Sequence, residues 1–315
     1  MSLKELIDRG TSILLSAYPE REAREIVFAF LEHHIGTKRH THIVEPGYEV
    51  PDNQAQQSVA AFERMSTGEP LQYVAGVADF YGRQFHVTPD VLIPRPETEL
   101  LCREVVIDRM SSDVAPFSPR GLSLQVTGGL RMDINPESVT ILDLCTGSGC
   151  IAWTLALEMP GAEVTAVDIS DGALEVASSQ DFAEETARTG AKPPVFVKAD
   201  VLAGPSEAGF KGRYDILVSN PPYVMDKEKA LMRPNVLDHE PHLALFVSDD
   251  DPLIFYRAIA GWALALLKPG GYGIVEINEA LGCQTADLFR NAGLRDVEII
   301  RDLSDRDRFV SFRLS

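Results

Sequence analysis

From residue 140 to the end of the chain, short apolar segments alternate with segments of helical periodicity. The apolar segments predict strands, whose ranges are 140–144, 163–168, 195–198, 216–219, 271–277, 297–303 and 309–314. Helices are predicted after Gly149, from about Gly172, from Pro252 with Asp251 as its cap, and up to about Asn291. Strands joined by helices run parallel, whereas the short link at 304–308 makes the last two strands antiparallel. The sequence therefore predicts an α/β fold, in which helices cover both faces of a mostly parallel, doubly wound sheet.

The first 75 residues carry helical patterns alone. Apolar residues recur at helical spacing in two stripes, which are Ala23, Ile26, Val27, Phe30 and Leu31, and then Ala55, Val59, Phe62 and Met65. Gly36 ends the first stripe, and the breaker at 66–70 ends the second. We predict a small helical-bundle domain over 1–75, a hairpin linker over 76–95 and an α/β domain over 96–315. The Ser-, Gly- and Pro-rich segment at 111–136 predicts an irregular insertion.

The charge balance narrows the possible partners. The 315 residues include 29 Lys and Arg against 47 Asp and Glu, for a formal charge of −18 at pH 7. Proteins bind nucleic acid largely by neutralising phosphates, so this charge argues against direct nucleic-acid binding. Four cysteines without a C-x-x-C pair fit neither a disulfide framework nor a zinc knuckle. No apolar stretch approaches the roughly 18 residues of a membrane span, and we expect a cytoplasmic protein that binds no membrane.

A glycine-rich turn follows the first predicted strand of the sheet. Cys145, Thr146, Gly147, Ser148 and Gly149 connect that strand to a helix, where backbone N–H groups can approach a ligand. Asp168 ends the next strand about 20 residues later, which is where an acidic residue accepts hydrogen bonds from ribose hydroxyls. The two features together predict a site for a nucleoside-containing cofactor. The alternative is a tight turn between strand and helix that binds no ligand.

Asn220, Pro221, Pro222 and Tyr223 follow another apolar strand, at the end where open α/β sheets bind ligands. An amide or amino nitrogen attached to a planar group is a poor nucleophile because its lone pair is delocalised. The Asn220 side-chain oxygen and the Pro221 carbonyl can accept both N–H bonds of such a nitrogen, while the Tyr223 ring packs on the flat group. The two prolines hold these acceptors rigidly. The segment therefore predicts a substrate site, since a simple turn gains nothing from this sequence.

Two other segments contain residue types that can take part in chemistry. Pro94 and Pro96 fix the entry to a helix that runs on to about Met110. Pro96 can occupy the first turn of this helix, and Glu97 and Glu99 suit its positive end. The segment at 238–242 is rich in metal-ligand residue types, but a proline interrupts any helical face, and we predict no metal site.

With these motifs the chain resembles a known family, the release-factor glutamine methyltransferases (PrmC/HemK) among the class I S-adenosylmethionine-dependent methyltransferases. The resemblance covers most of the chain and includes the motifs at 22–24, 68–76, 80–82, 92–99, 143–149, 220–223 and 240–241. The Asn-Pro-Pro-Tyr motif is shared with adenine-N6 DNA methyltransferases, whereas Ile-Pro-Arg-Pro-Glu-Thr-Glu at 93–99 is far more specific. The resemblance implies a Rossmann-like, seven-stranded sheet with a helical N-terminal domain that docks a protein substrate. The chain departs from the family in the 111–136 insertion and at 248–252.

The resemblance also implies a role for each residue of the site, with S-adenosyl-L-methionine as the cofactor. Cys145, Thr146, Gly147, Ser148 and Gly149 would line its methionine part, Asp168 would hold the ribose, and Asp200 and Val201 would border the adenine. Asn220 would contact both cofactor and substrate, as a catalytic residue together with Pro221 and Tyr223. The substrate site would comprise Asn220, Pro221, Pro222 and Tyr223, with Thr98 and Glu99 on the segment that closes the pocket.

The function implied is N5-methylation of the glutamine in the Gly-Gly-Gln motif of peptide chain release factors 1 and 2. Three alternatives remain open at this point. They are an adenine-N6 nucleic-acid methyltransferase, a methyltransferase acting on a ribosomal-protein glutamine, and a non-catalytic binding module that keeps the fold. The charge of −18 counts against the first alternative, and the intact Asp168 and Asn220 count against the last.

Overall fold

The structure is a computed structural model that describes residues 1–112 and 139–315. The insertion predicted at 111–136 therefore lies, from residue 113 onward, outside the described residues. Within the described ranges, no helix is both long enough and apolar enough to cross a membrane.

The N-terminal region is helical, as predicted. Its helices are α1 (Leu3–Leu14), α2 (Glu20–Ile35), α3 (Thr41–Val44), α4 (Asp52–Ser66) and α5 (Leu71–Ala75). The Ser2 hydroxyl accepts a hydrogen bond from the Glu5 N–H at 3.3 Å and the Glu5 carboxylate accepts one from the Ser2 N–H at 3.0 Å, a capping box that starts α1. Gly36, with φ +71°, ends α2 in the left-handed conformation that favours glycine.

The two predicted stripes meet in the core of this region. Phe62 of α4 is fully buried, and its ring lies 5.5 Å from the ring of Phe30 of α2. Gly10 of α1 packs directly on Phe62, because an added Cβ at Gly10 would lie 2.5 Å from that ring. The close approach of α1 to α4 therefore requires a glycine at this position.

A hairpin follows the helices. Strands β1 (Val77–Phe80) and β2 (Arg83–His86) pair antiparallel, and Tyr81 and Gly82 between them have φ of 52° and 72°. Positive φ at both central residues is the geometry of a two-residue turn that matches the twist of the strands. Arg83 binds Glu158 and Glu185 at 2.7 Å each, and these ion pairs attach the hairpin to the α/β part of the chain.

The α/β part contains a seven-stranded sheet, as predicted. In chain order its strands are β3 (Thr140–Leu144), β4 (Glu163–Asp168), β5 (Val195–Lys198), β6 (Tyr214–Ser219), β9 (Leu267–Glu276), β10 (Arg295–Arg301) and β11 (Asp307–Arg313). Their order across the sheet is β10-β11-β9-β6-β3-β4-β5. Strand β11 is antiparallel to both of its neighbours and the remaining pairs are parallel. A separate parallel pair is formed by β7 (Val224–Met225) and β8 (Phe246–Val247).

Helices cover both faces of this sheet. The helices that pack on it are α6 (Thr98–Ser112), α7 (Cys150–Glu158), α8 (Asp171–Ser178), α12 (Ile254–Leu266) and α13 (Gly282–Asn291). The α/β part also contains the shorter helices α9 (Ala183–Thr189), α10 (Pro234–His239) and α11 (His242–Leu245). Alternate residues of one strand enter different cores, so Ile216 packs with α6 and α7 while Leu217 packs with α12 and α13. The continuous apolar runs of the predicted strands follow from this burial on both faces.

Two local predictions were wrong. The helix expected from Pro252 begins at Ile254, and Asp251 does not cap it because the Asp251 carboxylate instead pairs with Arg257 at 3.1 Å. The strand expected from Gly271 begins at Leu267. The register of β9 against β6 shifts between Leu267 and Tyr272, so Pro269, Gly270 and Gly271 form an irregularity within the strand.

Candidate active site

A cavity of about 210 Å³ opens at the carboxyl ends of β3, β4 and β6. Most of the predicted site residues line it, namely Thr98, Cys145, Thr146, Gly147, Ser148, Asp168, Asp200, Val201, Asn220 and Pro222. Four others, Glu99, Gly149, Pro221 and Tyr223, are absent from its lining. The structure therefore brings the glycine-rich turn, the acidic end of β4 and the start of the Asn-Pro-Pro-Tyr segment to one cavity.

The glycine-rich turn forms one wall of the cavity. Cys145 has φ +61°, Gly147 has φ +55° and Gly149 has φ +78°, so the chain enters the left-handed region three times between β3 and α7. An added Cβ at Gly147 would meet no atom within 4 Å, so open space adjoins this glycine. Gly149 serves packing instead, because a Cβ there would lie 3.1–3.3 Å from Ala177, Trp153 and Phe196.

Asp143 supports this turn from within β3, and the sequence pattern did not identify it as a site residue. Its carboxylate is fully buried and accepts a hydrogen bond from the Thr146 hydroxyl at 2.6 Å. The other carboxylate oxygen has no partner among the described residues. Burial raises the pKa of Asp143 to about 7. An acidic residue inside the apolar run Ile141–Leu144 is the signal that could have identified it.

Asp168 ties the end of β4 to the same turn. One carboxylate oxygen accepts the Gly147 N–H at 2.9 Å and the other accepts the Ser170 N–H at 3.0 Å. Burial raises the pKa of Asp168, and the backbone N–H groups oppose that shift. A carboxylate offers about four acceptor positions, so each oxygen can still accept a hydroxyl proton.

Asp200 and Val201 lie at the end of β5, next to β4. The Asp200 carboxylate accepts the Leu202 N–H at 2.8 Å, which starts a 3-10 turn at Val201–Ala203. Trp262 of α12 donates to the Val201 carbonyl at 2.9 Å. These contacts fix a partly apolar edge of the cavity beside Asp168.

Asn220 and Tyr223 are linked to a buried acid, Glu276, that the sequence pattern did not identify either. The Asn220 Nδ2 donates to Thr98 Oγ1 at 3.2 Å, and Thr98 Oγ1 donates to Glu276 Oε2 at 2.7 Å. The Tyr223 hydroxyl donates to Glu276 Oε1 at 2.9 Å. Burial raises the pKa of both Glu276 and Tyr223. The signal for Glu276 is an acid at the end of an apolar strand, at the sheet edge where the other site residues lie.

The segment before α6 is held over the cavity by another buried acid. Glu240 is 4% exposed, and its carboxylate accepts from Arg95 at 2.6 Å and from the Ile93 N–H at 3.3 Å. Thr98 lines the cavity, whereas the Glu99 carboxylate accepts the Tyr81 N–H at 2.9 Å and thus faces the hairpin. The conformation of the 93–99 segment therefore depends on contacts with residues more than 100 positions away.

Family models match both parts of the chain. Residues 5–76 match the PrmC N-terminal domain, and residues 130–239 match the methyltransferase small domain. Together with the sheet order and the cavity at its carboxyl edge, these matches define a class I methyltransferase.

Similar curated proteins narrow this class further. A release factor glutamine methyltransferase from Bacteroides thetaiotaomicron is 41% identical over 79% of this chain and 77% of its own length. One from Flavobacterium psychrophilum is 32% identical over 98% of each chain, and one from Neisseria gonorrhoeae is 35% identical over 93% of each. The chain belongs to the release factor glutamine methyltransferase family.

Proposed function

We propose that this protein methylates the side-chain nitrogen, N5, of the glutamine in the Gly-Gly-Gln motif of peptide chain release factors 1 and 2. S-adenosyl-L-methionine is the proposed methyl donor. The observation that carries the proposal is that the glycine-rich turn, Asp168 and Asn220 line one cavity. A donor held by the first two would lie beside an amide held by the third. Because translation termination is cytoplasmic, the proposed reaction takes place in the cytoplasm.

The residues present fit this cofactor. Open space adjoins Gly147, and the Asp168 carboxylate has acceptor capacity beyond the two N–H groups that it already binds. The ribose hydroxyls would occupy this remaining capacity. Asp200 and Val201 would border the adenine, and Cys145, Thr146, Gly147 and Ser148 would line the methionine part. Gly149 would shape the turn without touching the ligand.

Asn220 and Pro221 would prepare the amide nitrogen for attack. No described residue donates a hydrogen bond to the Asn220 side-chain oxygen or to the Pro221 carbonyl, and of these two residues Asn220 is the one that lines the cavity. Accepting one N–H each favours a pyramidal nitrogen, whose lone pair then points outward. When bound, S-adenosylmethionine supplies the methyl group, on a positively charged sulfur. Orientation of well-placed reactants can recover up to roughly 7–11 kcal/mol of the barrier. No strong base is needed, because the amide nitrogen can lose its extra proton after the methyl group has been transferred.

Residues 1–75 would dock the release factor, with 76–95 as a linker and 96–315 as the methyltransferase domain. The helical region holds none of the proposed site residues. Glu22 of α2 binds Arg233, the residue before α10, at 3.1 Å. Helix α10 leads directly to Glu240, which holds the 93–99 segment over the cavity. Ile43 and Val44 of α3 expose apolar side chains that a protein partner could cover.

Labelled methyl transfer tests the proposal. The purified protein is incubated with S-adenosylmethionine carrying a labelled methyl group and with an unmodified release factor, duplex DNA or ribosomal proteins. We expect label on the release factor alone, and mass spectrometry should locate one methyl group on the Gly-Gly-Gln glutamine. A release factor with glutamate at that position should accept none. Label on DNA adenine, on a ribosomal protein alone, or on no acceptor would overturn the proposal.

A further inference from the structure

We infer that Glu276 is a positioning residue that acts through Thr98 to fix which face of the Asn220 amide points into the cavity. The inference rests on the proposed function, because the orientation of Asn220 matters for a substrate that must donate an N–H to its oxygen. The three side chains come from β9, the start of α6 and the end of β6, and they form a linear chain of hydrogen bonds.

The orientation follows from counting protons. A threonine hydroxyl has one proton to donate, and a carboxylate only accepts. The Thr98 proton therefore goes to Glu276 Oε2, 2.7 Å away, and Thr98 Oγ1 can serve any other neighbour only as an acceptor. The Asn220 atom that lies 3.2 Å from Thr98 Oγ1 must then be the NH₂ group. If the amide turned over, two oxygen acceptors would face each other.

This arrangement leaves the Asn220 oxygen for the substrate. An asparagine side chain carries a donor end and an acceptor end of nearly the same shape, so packing alone discriminates weakly between its two orientations. The hydrogen bonds from Glu276 through Thr98 determine the orientation of the Asn220 amide instead. The site is thereby organised before the substrate arrives, and no reorientation is needed when the amide binds.

Glu276 is itself held rigidly. Its side chain is 1% exposed, its second carboxylate oxygen accepts the Tyr223 hydroxyl at 2.9 Å, and its backbone carbonyl accepts the Tyr256 hydroxyl at 3.2 Å. One buried acid thus orients Asn220 through Thr98 and holds Tyr223 directly. A buried carboxylate is costly unless hydrogen bonds compensate it, and this one has a hydroxyl donor on each oxygen.

Steady-state kinetics of matched variants tests the inference. Thr98→Val keeps the shape of the side chain but removes the hydroxyl, and Glu276→Gln replaces an obligate acceptor with a group that can donate. We expect each to lower kcat for the release factor about tenfold or more, while KM for the release factor and the calorimetric affinity for S-adenosylmethionine change less than about threefold. Thr98→Ser, which restores the hydroxyl, should recover most of the lost kcat.

The double variant tests whether the residues act in series. Once Thr98→Val has broken the chain, adding Glu276→Gln should lower kcat little further, so the two losses should be strongly non-additive. Thr285→Val is the matched control, because Thr285 is a buried threonine of α13 whose hydroxyl has no partner among the described residues. It should keep the wild-type kcat.

These experiments distinguish failure of the proposed function from failure of the inference about Glu276. If the wild-type protein methylates no glutamine, the proposed function itself fails. If the wild type is active but Thr98→Val keeps its kcat, or Thr98→Ser is as slow as Thr98→Val, the inference is overturned and the proposed function stands. Losses confined to cofactor affinity would also overturn it, since they would mean that Thr98 and Glu276 only shape the cavity. Because Glu276→Gln and Thr98→Val act at different positions, misfolding of one variant leaves the other as a test.

Discussion

The helical region at 1–75 and the carboxyl edge of the sheet bury very different side chains. The buried polar residues of the helical region are Thr37 and Ser58, and each donates to a nearby backbone carbonyl. At or beside the sheet edge, three acids are buried, namely Asp143, Glu240 and Glu276. Burying an ionisable acid costs several kcal/mol unless its partners are well placed. Apolar packing therefore stabilises the helical region. At the sheet edge, buried acids orient polar groups and lower the stability of the fold.

The first way to test this contrast is to remove a packing residue from the helical region. Phe62→Ala empties a fully buried position against Phe30 and Gly10, and we expect it to lower the free energy of unfolding by about 3–5 kcal/mol. Denaturant unfolding measures this loss, and Glu63→Ala, at an exposed position of the same helix, serves as the control. A loss below about 1 kcal/mol would mean that this core is not tightly packed.

Removing a buried acid from the sheet edge should have the opposite effect and raise the free energy of unfolding at neutral pH. The pKa of Asp143 is raised to about 7 in the folded protein, against about 3.9 for an unfolded chain. Between these values the folded state holds a proton that the unfolded state has lost, so this group lowers stability as pH rises. Asp143→Asn does not titrate. Its stability relative to wild type should therefore improve by on the order of 3 kcal/mol between pH 4 and pH 8.

Urea unfolding of Asp143→Asn and wild type at several pH values measures this difference. The improvement should accumulate between about pH 4 and pH 7 and level off above that range. A difference that is independent of pH would contradict the assignment, because it would show that Asp143 has the same pKa in both states.

Removing the proposed ribose contact should have a smaller effect, which is a loss of affinity for S-adenosylmethionine. Asp168→Ala removes a charged acceptor and should weaken binding of S-adenosylmethionine by about 1.5–3 kcal/mol, measured by calorimetry. Asp171→Ala is the control, since that carboxylate is 79% exposed and pairs with Lys198 at the surface. Unchanged affinity in the Asp168 variant would show that its carboxylate serves the turn alone.

The smallest expected effect is that of Tyr223→Phe. The variant keeps the ring and loses the hydrogen bond to Glu276, so kcat for the release factor should fall by no more than about tenfold. Steady-state kinetics checks this value. A larger fall would assign the Tyr223 hydroxyl a direct role in the reaction.

The two regions also differ in how far the sequence predicted them. Helical periodicity and breakers located α2 and α4, and the apolar runs located the strands, because these signals are local. The glycine-rich turn and the Asn-Pro-Pro-Tyr segment were visible for the same reason. The sequence did not reveal the partners of these segments. Thr98 and Glu276 lie 178 positions apart, and Asn220 and Thr98 lie 122 apart, so only the folded sheet brings them together.

The cap predicted at Asp251 was wrong for a related reason. An acid at the start of a helix has several possible partners, and the sequence pattern gives no geometry to choose among them. Asp251 pairs with Arg257 of the first turns of α12, which leaves the helix without a side-chain cap. Similarly, Glu99 suited the positive end of α6 by position, but its carboxylate binds the Tyr81 N–H of the hairpin turn.

The central claim is that the Asn220 side-chain oxygen receives the glutamine amide and aligns it for methyl transfer. Single-turnover and steady-state kinetics of Asn220→Ala on an unmodified release factor test it most directly, with Asn53→Ala, at an exposed position of α4, as the control. We predict that Asn220→Ala lowers kcat by about 10²-fold or more, with a much smaller change in KM, while Asn53→Ala behaves as wild type. A folded Asn220→Ala protein with near-normal kcat would contradict the claim, because the amide would then be activated by another group.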